Sequence, residues 1–144
     1  MKFDAKHTGQ RKRRGIEGNY SDIFLVSLDG KNCAIVDTKA YRSYNLPSKD
    51  VNVMENNYIP NCKELFGDKQ YKLQFCSYVA GGFADVGYRF KAMHEKTGIP
   101  ISGISAKALV DLARSNKINR SNQPKLQAMF SQSKVLKSED FKEL

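Results

Sequence analysis

Two β-prone runs joined through Asp29-Gly30 constrain this chain more than any other feature. Ser21-Asp22-Ile23-Phe24-Leu25-Val26-Ser27-Leu28 and Cys33-Ala34-Ile35-Val36-Asp37-Thr38-Lys39-Ala40-Tyr41 both read as strands. Asp-Gly between such runs is a strong hairpin signal. A two-residue turn there sets Leu28 opposite Lys31, and the same register carried back along both strands sets Asp22 across from Asp37. Residues i and i+2 of a strand face the same way, so Asp37 and Lys39 emerge side by side from an otherwise apolar run. Directly opposed Cβ atoms lie roughly 4.5 to 5.5 Å apart. Two bare carboxylates about 5 Å apart repel by about 3 kcal/mol at an effective dielectric near 20. A cation is therefore expected between them. Lys39 is one candidate, and a divalent metal such as Mg²⁺ is the other, because Mg²⁺ takes one or two carboxylates together with water and phosphate oxygens. Relief of the repulsion predicts that Asp22→Ala or Asp37→Ala leaves metal-free stability unchanged or raises it.

The spacing Asp-x-Lys carries little information by itself. It recurs in Asp29-Gly30-Lys31 and in Asp140-Phe141-Lys142, outside any buried-strand pattern. What gives Asp37 and Lys39 their weight is the flanking apolar run and the opposed Asp22. An acid pair and a lysine on one strand suit metal-assisted hydrolysis of a phosphodiester, in which the metal and the phosphate partner the buried charges. The net charge of +9 over 144 residues, with Lys2, Lys6, Arg11, Lys12, Arg13 and Arg14 concentrated early, points to a polyanionic partner. Arg11, Lys12, Arg13 and Arg14 read as a loop gripping DNA phosphates without reading bases, and Lys6 and His7 as further phosphate contacts.

Other chemistries find no support. The sequence has no Ser-His-Asp arrangement, GxGxxG or P-loop, and Cys33, Cys62 and Cys76 form no CxxC pair of zinc-ligand spacing. The odd cysteine count reads as reduced thiols in a cytoplasmic protein, with Cys33 and Cys76 as small core residues. No apolar stretch is long enough for a signal peptide or membrane span, so no membrane partner is expected. His94, Glu55 and Asp85 read as solvated helix residues. Tyr41 and Tyr44 read equally well as substrate neighbours or as packing groups.

Downstream, the pattern alternates. A helix is expected after Pro47, with Ser48 as its cap, Val51, Met54 and Tyr58 at helical spacing, and Pro60 breaking or restarting it. Tyr71 to Val79 alternates as a strand that Gly81-Gly82 ends, and a helix is expected from about Ala84 to Thr97, closed by Gly98. Ile99 to Ile104 reads as a short strand. Ser105 then caps a helix whose apolar stripe is Ala106, Leu109, Val110 and Ala113, and Leu126, Met129 and Phe130 suggest one more helix before a charged tail. Gly9 to Asn19 and Lys117 to Gln123 look like linkers. The expected class is α/β, a central mixed sheet with an N-terminal hairpin, flanked by helices, in one domain over residues 1–144.

Ile35-Val36-Asp37-Thr38-Lys39-Ala40-Tyr41 followed by Tyr44-Asn45-Leu46-Pro47 resembles the catalytic strand and following turn of the FokI-type cleavage domain of type IIS restriction endonucleases. The upstream Phe3-x-x-Lys6-His7-x-Gly9, Arg11-Lys12 and then Asp22 are similar to that family's approach to its first active-site aspartate. The resemblance implies a restriction-endonuclease-like fold and a PD-(D/E)xK site. Asp22, Asp37 and Lys39 would then be catalytic, and Asp22, Asp37 and the Thr38 backbone carbonyl would hold Mg²⁺, with Mn²⁺ as a substitute. It further implies cleavage of double-stranded DNA with little intrinsic sequence preference, recognition residing in a separate domain or subunit, and a second cleavage domain for the second strand. Alternatives are a junction-resolving or repair nuclease of the same fold, or an inactive DNA-binding module derived from one. The chain departs from the family pattern in three places. Tyr20-Ser21 stands where a Pro precedes the first aspartate; helices upstream of Phe3 are missing, so a truncated domain is expected; and Asn52 and Asn56 replace an Asp and Arg that pair across the family's dimer, so a monomer is expected.

Overall fold

The computed structural model describes residues 3–8, 20–27, 29–115, 117–119 and 121–144. Strands β1 (Phe3–His7), β2 (Ile23–Ser27) and β3 (Asn32–Lys39) run antiparallel, each to the next. β3 is followed by α1 (Ser48–Val53), which widens into a π turn at Met54–Tyr58 and continues through α2 (Ile59–Asn61) and a 3₁₀ turn (Cys62–Leu65). Next come β4 (Lys72–Ala80), α3 (Gly87–Thr97), β5 (Ile101–Ser105), α4 (Ala106–Arg114), α5 (Gln123–Phe130), β6 (Val135–Leu136) and a 3₁₀ turn at Ser138–Phe141. The sheet order is β1-β2-β3-β4-β5-β6, with β3 to β6 parallel. This is the mixed sheet the alternation predicts, with the antiparallel hairpin at one side.

The hairpin register agrees residue for residue. Ile23 pairs with Val36, Phe24 with Ile35, Leu25 with Ala34 and Val26 with Cys33, and the charge of Asp22, just before the ladder, acts on Asp37. The Ser27 hydroxyl helps close the turn, accepting from the Asn32 N–H at 2.9 Å, while the Gly30 N–H donates to the Ser27 carbonyl. Gly30 sits at φ +66°, a conformation glycine adopts without strain.

Strand alternation splits the core between the two faces of the sheet. One face carries Phe24, Cys33, Ile35, Cys76, Tyr78, Ala80 and Ile101 against Met54, Cys62, Phe90 and Met93 of the helices. The other carries Ile104 and Leu136 against Ala108, Leu112 and Phe141. The three cysteines are buried free thiols, as expected of core residues. Burial pushes the Cys33 thiol up to about 12, with Cys62 adding to the shift.

Three local expectations give way to tertiary packing. Phe3–His7, of which the sequence pattern says nothing, forms an edge strand, and Val135–Leu136, read as the start of a charged tail, joins the sheet as β6. Ser48 does not cap α1, whose N-cap position is Pro47. Pro60 restarts the helix as expected, standing in the first turn of α2 just after the π turn. In α4 the buried residues are Ala108 and Leu112, whereas Leu109 and Val110 are 39% and 45% exposed, so the apolar stripe lies elsewhere than read. The Ser105 cap itself is present, its side chain accepting from the Ala108 N–H at 3.1 Å.

Candidate active site at the carboxyl end of the third strand

The last turn of β3 puts two charges into the face lined by Cys33 and Ile35. Asp37 is 3% exposed. Lys39, two residues on, lies with Nζ 2.9 Å from Asp37 Oδ2. Burial raises the Asp37 pKa, the Lys39 ammonium opposes that rise, and the charges of Asp22 and Asp50 add to it. For Lys39, burial pulls downward, but Asp37 and then Asp50 outweigh it and hold the ammonium above its ordinary value. The direction for each is what the geometry requires: a desolvated acid beside a cation that is itself within reach of two acids.

Asp22 immediately precedes β2 and reaches the same end of β3. Its Oδ2 accepts from the Thr38 N–H at 2.8 Å and from the Thr38 hydroxyl at 2.5 Å. The backbone around it is held from the other side, since the Thr8 N–H donates to the Asp22 carbonyl at 2.8 Å and the Thr8 hydroxyl to the Ser21 carbonyl. Asp22 is therefore an acceptor that ties β2 to β3 as well as a charge near Asp37. Asp22→Ala therefore removes two hydrogen bonds at an exposed Thr38 together with a charge that acts on Asp37.

The turn after β3 is locked against the end of β4. The Gly81 N–H donates to the Tyr41 carbonyl, the Tyr44 N–H to the Gly82 carbonyl, and the Ala84 N–H to the Tyr44 carbonyl. A Cβ at Gly82 would lie 2.6 Å from the Arg42 carbonyl oxygen, and one at Gly81 2.8 Å from that of Tyr41. Gly81-Gly82 thus does more than end a strand: it permits the close approach that fixes Tyr44. Tyr41, 60% exposed, stacks on Tyr44, which is buried.

Asp50, in the first turn of α1, is the residue sequence reasoning missed. Its Oδ2 stands 3.4 Å from Lys39 Nζ and accepts from the Tyr44 hydroxyl, and its carbonyl accepts from the Tyr78 hydroxyl at 3.0 Å. Read along the chain it is only an acid at a helix N-terminus, where the macrodipole favours it. Tyr58, from the π turn, also faces this cluster: burial and then the charge of Asp37 push its hydroxyl up to about 12. Helical periodicity finds Tyr58, but not its neighbours.

The remaining predicted residues sort by position. Lys6 and His7 are exposed on β1, where His7 pairs with Ile23, next to Asp22. Arg11, Lys12, Arg13 and Arg14 lie outside the described residues. Asn52 and Asn56 are exposed along the helix after Pro47. Asp85 is exposed as read, but Glu55 is not solvated: its side chain is 5% exposed and ion-paired with Lys96. His94 is half-buried, its Nδ1 2.9 Å from the Ser133 hydroxyl.

Whether these residues suit a divalent cation can be judged from their donors. Asp37 Oδ2 is buried with no partner in hydrogen-bond geometry, Lys39 making an ion pair only, so it keeps capacity for a cation. Among the described residues no group of three or more His, Cys, Asp or Glu forms a cage. Mg²⁺ needs none, since it retains waters and accepts carbonyl oxygens. The carboxylates of Asp22 and Asp37 and the backbone carbonyl of Thr38 are oxygen donors of the kind Mg²⁺ accepts.

A mixed sheet whose central strand ends in a buried Asp and a Lys, with a second Asp delivered by the antiparallel neighbour, defines a nuclease fold of the restriction-endonuclease class. Residues 1–137 match the family model described as FokI, cleavage domain, and the chain belongs to that family. The solved structures of restriction endonuclease FokI and of FokI bound to DNA are similar in fold, each with a TM-score of 0.66 at 16% identity over 93% of this chain. The chain spans 25% of the length of those proteins. No curated relative matches it. No helix among the described residues is long and apolar enough to cross a membrane.

Proposed function

We propose that the chain is a Mg²⁺-dependent DNA endonuclease domain that hydrolyses phosphodiester bonds with little sequence preference of its own. The observation that carries this reading is the convergence of Asp22, Asp37 and Lys39 at one strand end, reached through the hairpin register. Asp22, Asp37 and the Thr38 carbonyl would hold the cation, with Mn²⁺ as a substitute. When bound, it would neutralise charge on the scissile phosphate and acidify an attacking water. Lys39 supplies a fixed positive charge on the same face, where it can orient that water or stabilise charge developing on the phosphate. Thr38 orients Asp22 through two donors. The exposed Lys6 and His7 beside Asp22, and the run Arg11 to Arg14, would position the DNA backbone without reading bases.

One site of this kind cuts one strand, so double-strand cleavage calls for a second copy or a partner domain, and sequence recognition for a separate unit. With Asn52 and Asn56 unable to form an ion pair, we read the isolated chain as a monomer. The buried free cysteines fit a reducing cytoplasm. The test is nicking of supercoiled plasmid: conversion to open circles in Mg²⁺, abolished by chelation, is expected, and a wild type that never nicks overturns the reading.

A further inference from the structure

We propose that Asp50 keeps Lys39 in the site when a divalent cation takes possession of Asp37, a positioning role that rests on the nuclease reading above. Lys39 Nζ lies between two carboxylate oxygens, 2.9 Å from Asp37 Oδ2 and 3.4 Å from Asp50 Oδ2. The first comes from the same strand and the second from α1. The two cations want the same place. Asp37 Oδ2 is both the nearest partner of Lys39 and the buried oxygen with acceptor capacity left over, and a divalent ion drawn to Asp37 repels the ammonium from it. A lysine with no other partner would swing to solvent on its flexible four-carbon stem, because nothing offsets the entropy of holding it. Asp50 supplies the other partner without itself belonging to the set that suits the cation.

The seat is built rigidly. The Tyr44 hydroxyl donates to the same Asp50 Oδ2, and the Tyr78 hydroxyl donates to the Asp50 carbonyl. Both rings are 1% exposed or less. The Asp50 N–H donates to the Pro47 carbonyl at 2.9 Å, and Tyr44 is itself clamped by Gly81-Gly82. A surface acid that merely favoured the helix N-terminus would need none of this support. The arrangement locks the carboxylate so that an ammonium released from Asp37 moves a short way and stops.

The experiment uses Asp50→Asn, which keeps the side-chain shape and an acceptor for Tyr44. Single-turnover nicking in saturating Mg²⁺ is expected to slow by about 10- to 100-fold, with the DNA concentration for half-maximal rate unchanged, as for a displaced catalytic group. The second readout needs no turnover: the ¹H–¹⁵N signal of the Lys39 ammonium, assigned by its loss in Lys39→Arg, is visible when an ion pair slows proton exchange. It is expected in the wild type with and without Mg²⁺. In Asp50→Asn it is expected without Mg²⁺, where Asp37 still holds the ammonium, and lost on adding Mg²⁺. An active wild type whose Lys39 signal survives in Mg²⁺-loaded Asp50→Asn, or an Asp50→Asn that nicks at the wild-type rate, overturns the role of Asp50 alone. A wild type that neither nicks DNA nor responds to Mg²⁺ overturns the nuclease reading and this role with it.

Discussion

The end of β3 and the C-terminal turn carry the same Asp-x-Lys spacing, as Asp37-Thr38-Lys39 and Asp140-Phe141-Lys142, and set their acids in opposite environments. Asp140 is a structural acid. Its Oδ1 pairs with Lys134 at 2.7 Å and its Oδ2 accepts from the Lys137 N–H at 2.7 Å, so it closes the 3₁₀ turn from within. Burial raises its pKa, but Lys134 and the Lys137 N–H outweigh that and bring it below the ordinary value. Asp37 is pushed the other way, because burial dominates and two more carboxylates stand nearby. Asp29, in the hairpin turn, behaves like Asp140, lowered first by the Ser27 hydroxyl and then by the Lys31 N–H. A fourth copy of the spacing, Asp4-Ala5-Lys6 on β1, is exposed. Local spacing supplies the groups; desolvation and the company of other acids decide whether they stabilise the fold or remain poised for a ligand.

The sharpest way to break this comparison is to cut both copies. Asp37→Ala and Lys39→Ala are expected to lower plasmid nicking by at least about a hundredfold, whereas Asp140→Asn and Asp29→Asn leave it at the wild-type level. Equal losses from Asp37→Ala and Asp140→Asn would mean that both pairs are structural. Lys39→Ala is further expected to retain Mg²⁺ binding by calorimetry, since its acids remain.

Stability gives the converse and smaller contrast, read by thermal unfolding in chelator. Asp140→Asn is expected to cost about 1 kcal/mol, or about 2–4 °C. Its folded pKa is depressed, so that contribution is present above the unfolded value near 3.9 and fades as pH falls through the folded pKa. Asp37→Asn is expected to leave the midpoint unchanged or to raise it at neutral pH, because the folded pKa is raised and the charged form is the destabilised one. That advantage fades as acid protonates Asp37 in the wild type. A sharp loss in Asp37→Asn would make the pair with Lys39 a structural salt bridge.

The mildest effect concerns the basic run. Replacing Arg11, Lys12, Arg13 and Arg14 with Ala is expected to weaken duplex binding uniformly across sequences and to reduce the slope of log affinity against log salt by up to about 0.9 per lost phosphate contact. An unchanged slope would remove those residues from the DNA interface.

Much of the site was legible because it depends on short-range geometry. A strand places Asp37 and Lys39 on one face whatever surrounds it, and the turn at Asp29-Gly30 sets the register of β2 on β3 that carries Asp22 to the same end of β3; both follow from local rules of pleat and turn. The α/β alternation, the Ser105 cap and the buried cysteines are likewise consequences of period and composition. Tertiary structure decided the rest. Asp50 joins Lys39 through the packing of α1 over β3, and nothing in Ser48-Lys49-Asp50-Val51 announces that contact. β6 exists because β5 offers Val135 and Leu136 an unpaired edge, and Glu55 is buried because Lys96 on another helix meets it. Such contacts join residues far apart in the chain, and their energies come from desolvation and from partners that local pattern does not contain. The sequence by itself therefore determined which groups stand ready at the end of β3, and only the tertiary structure decided which third carboxylate faces the lysine between them.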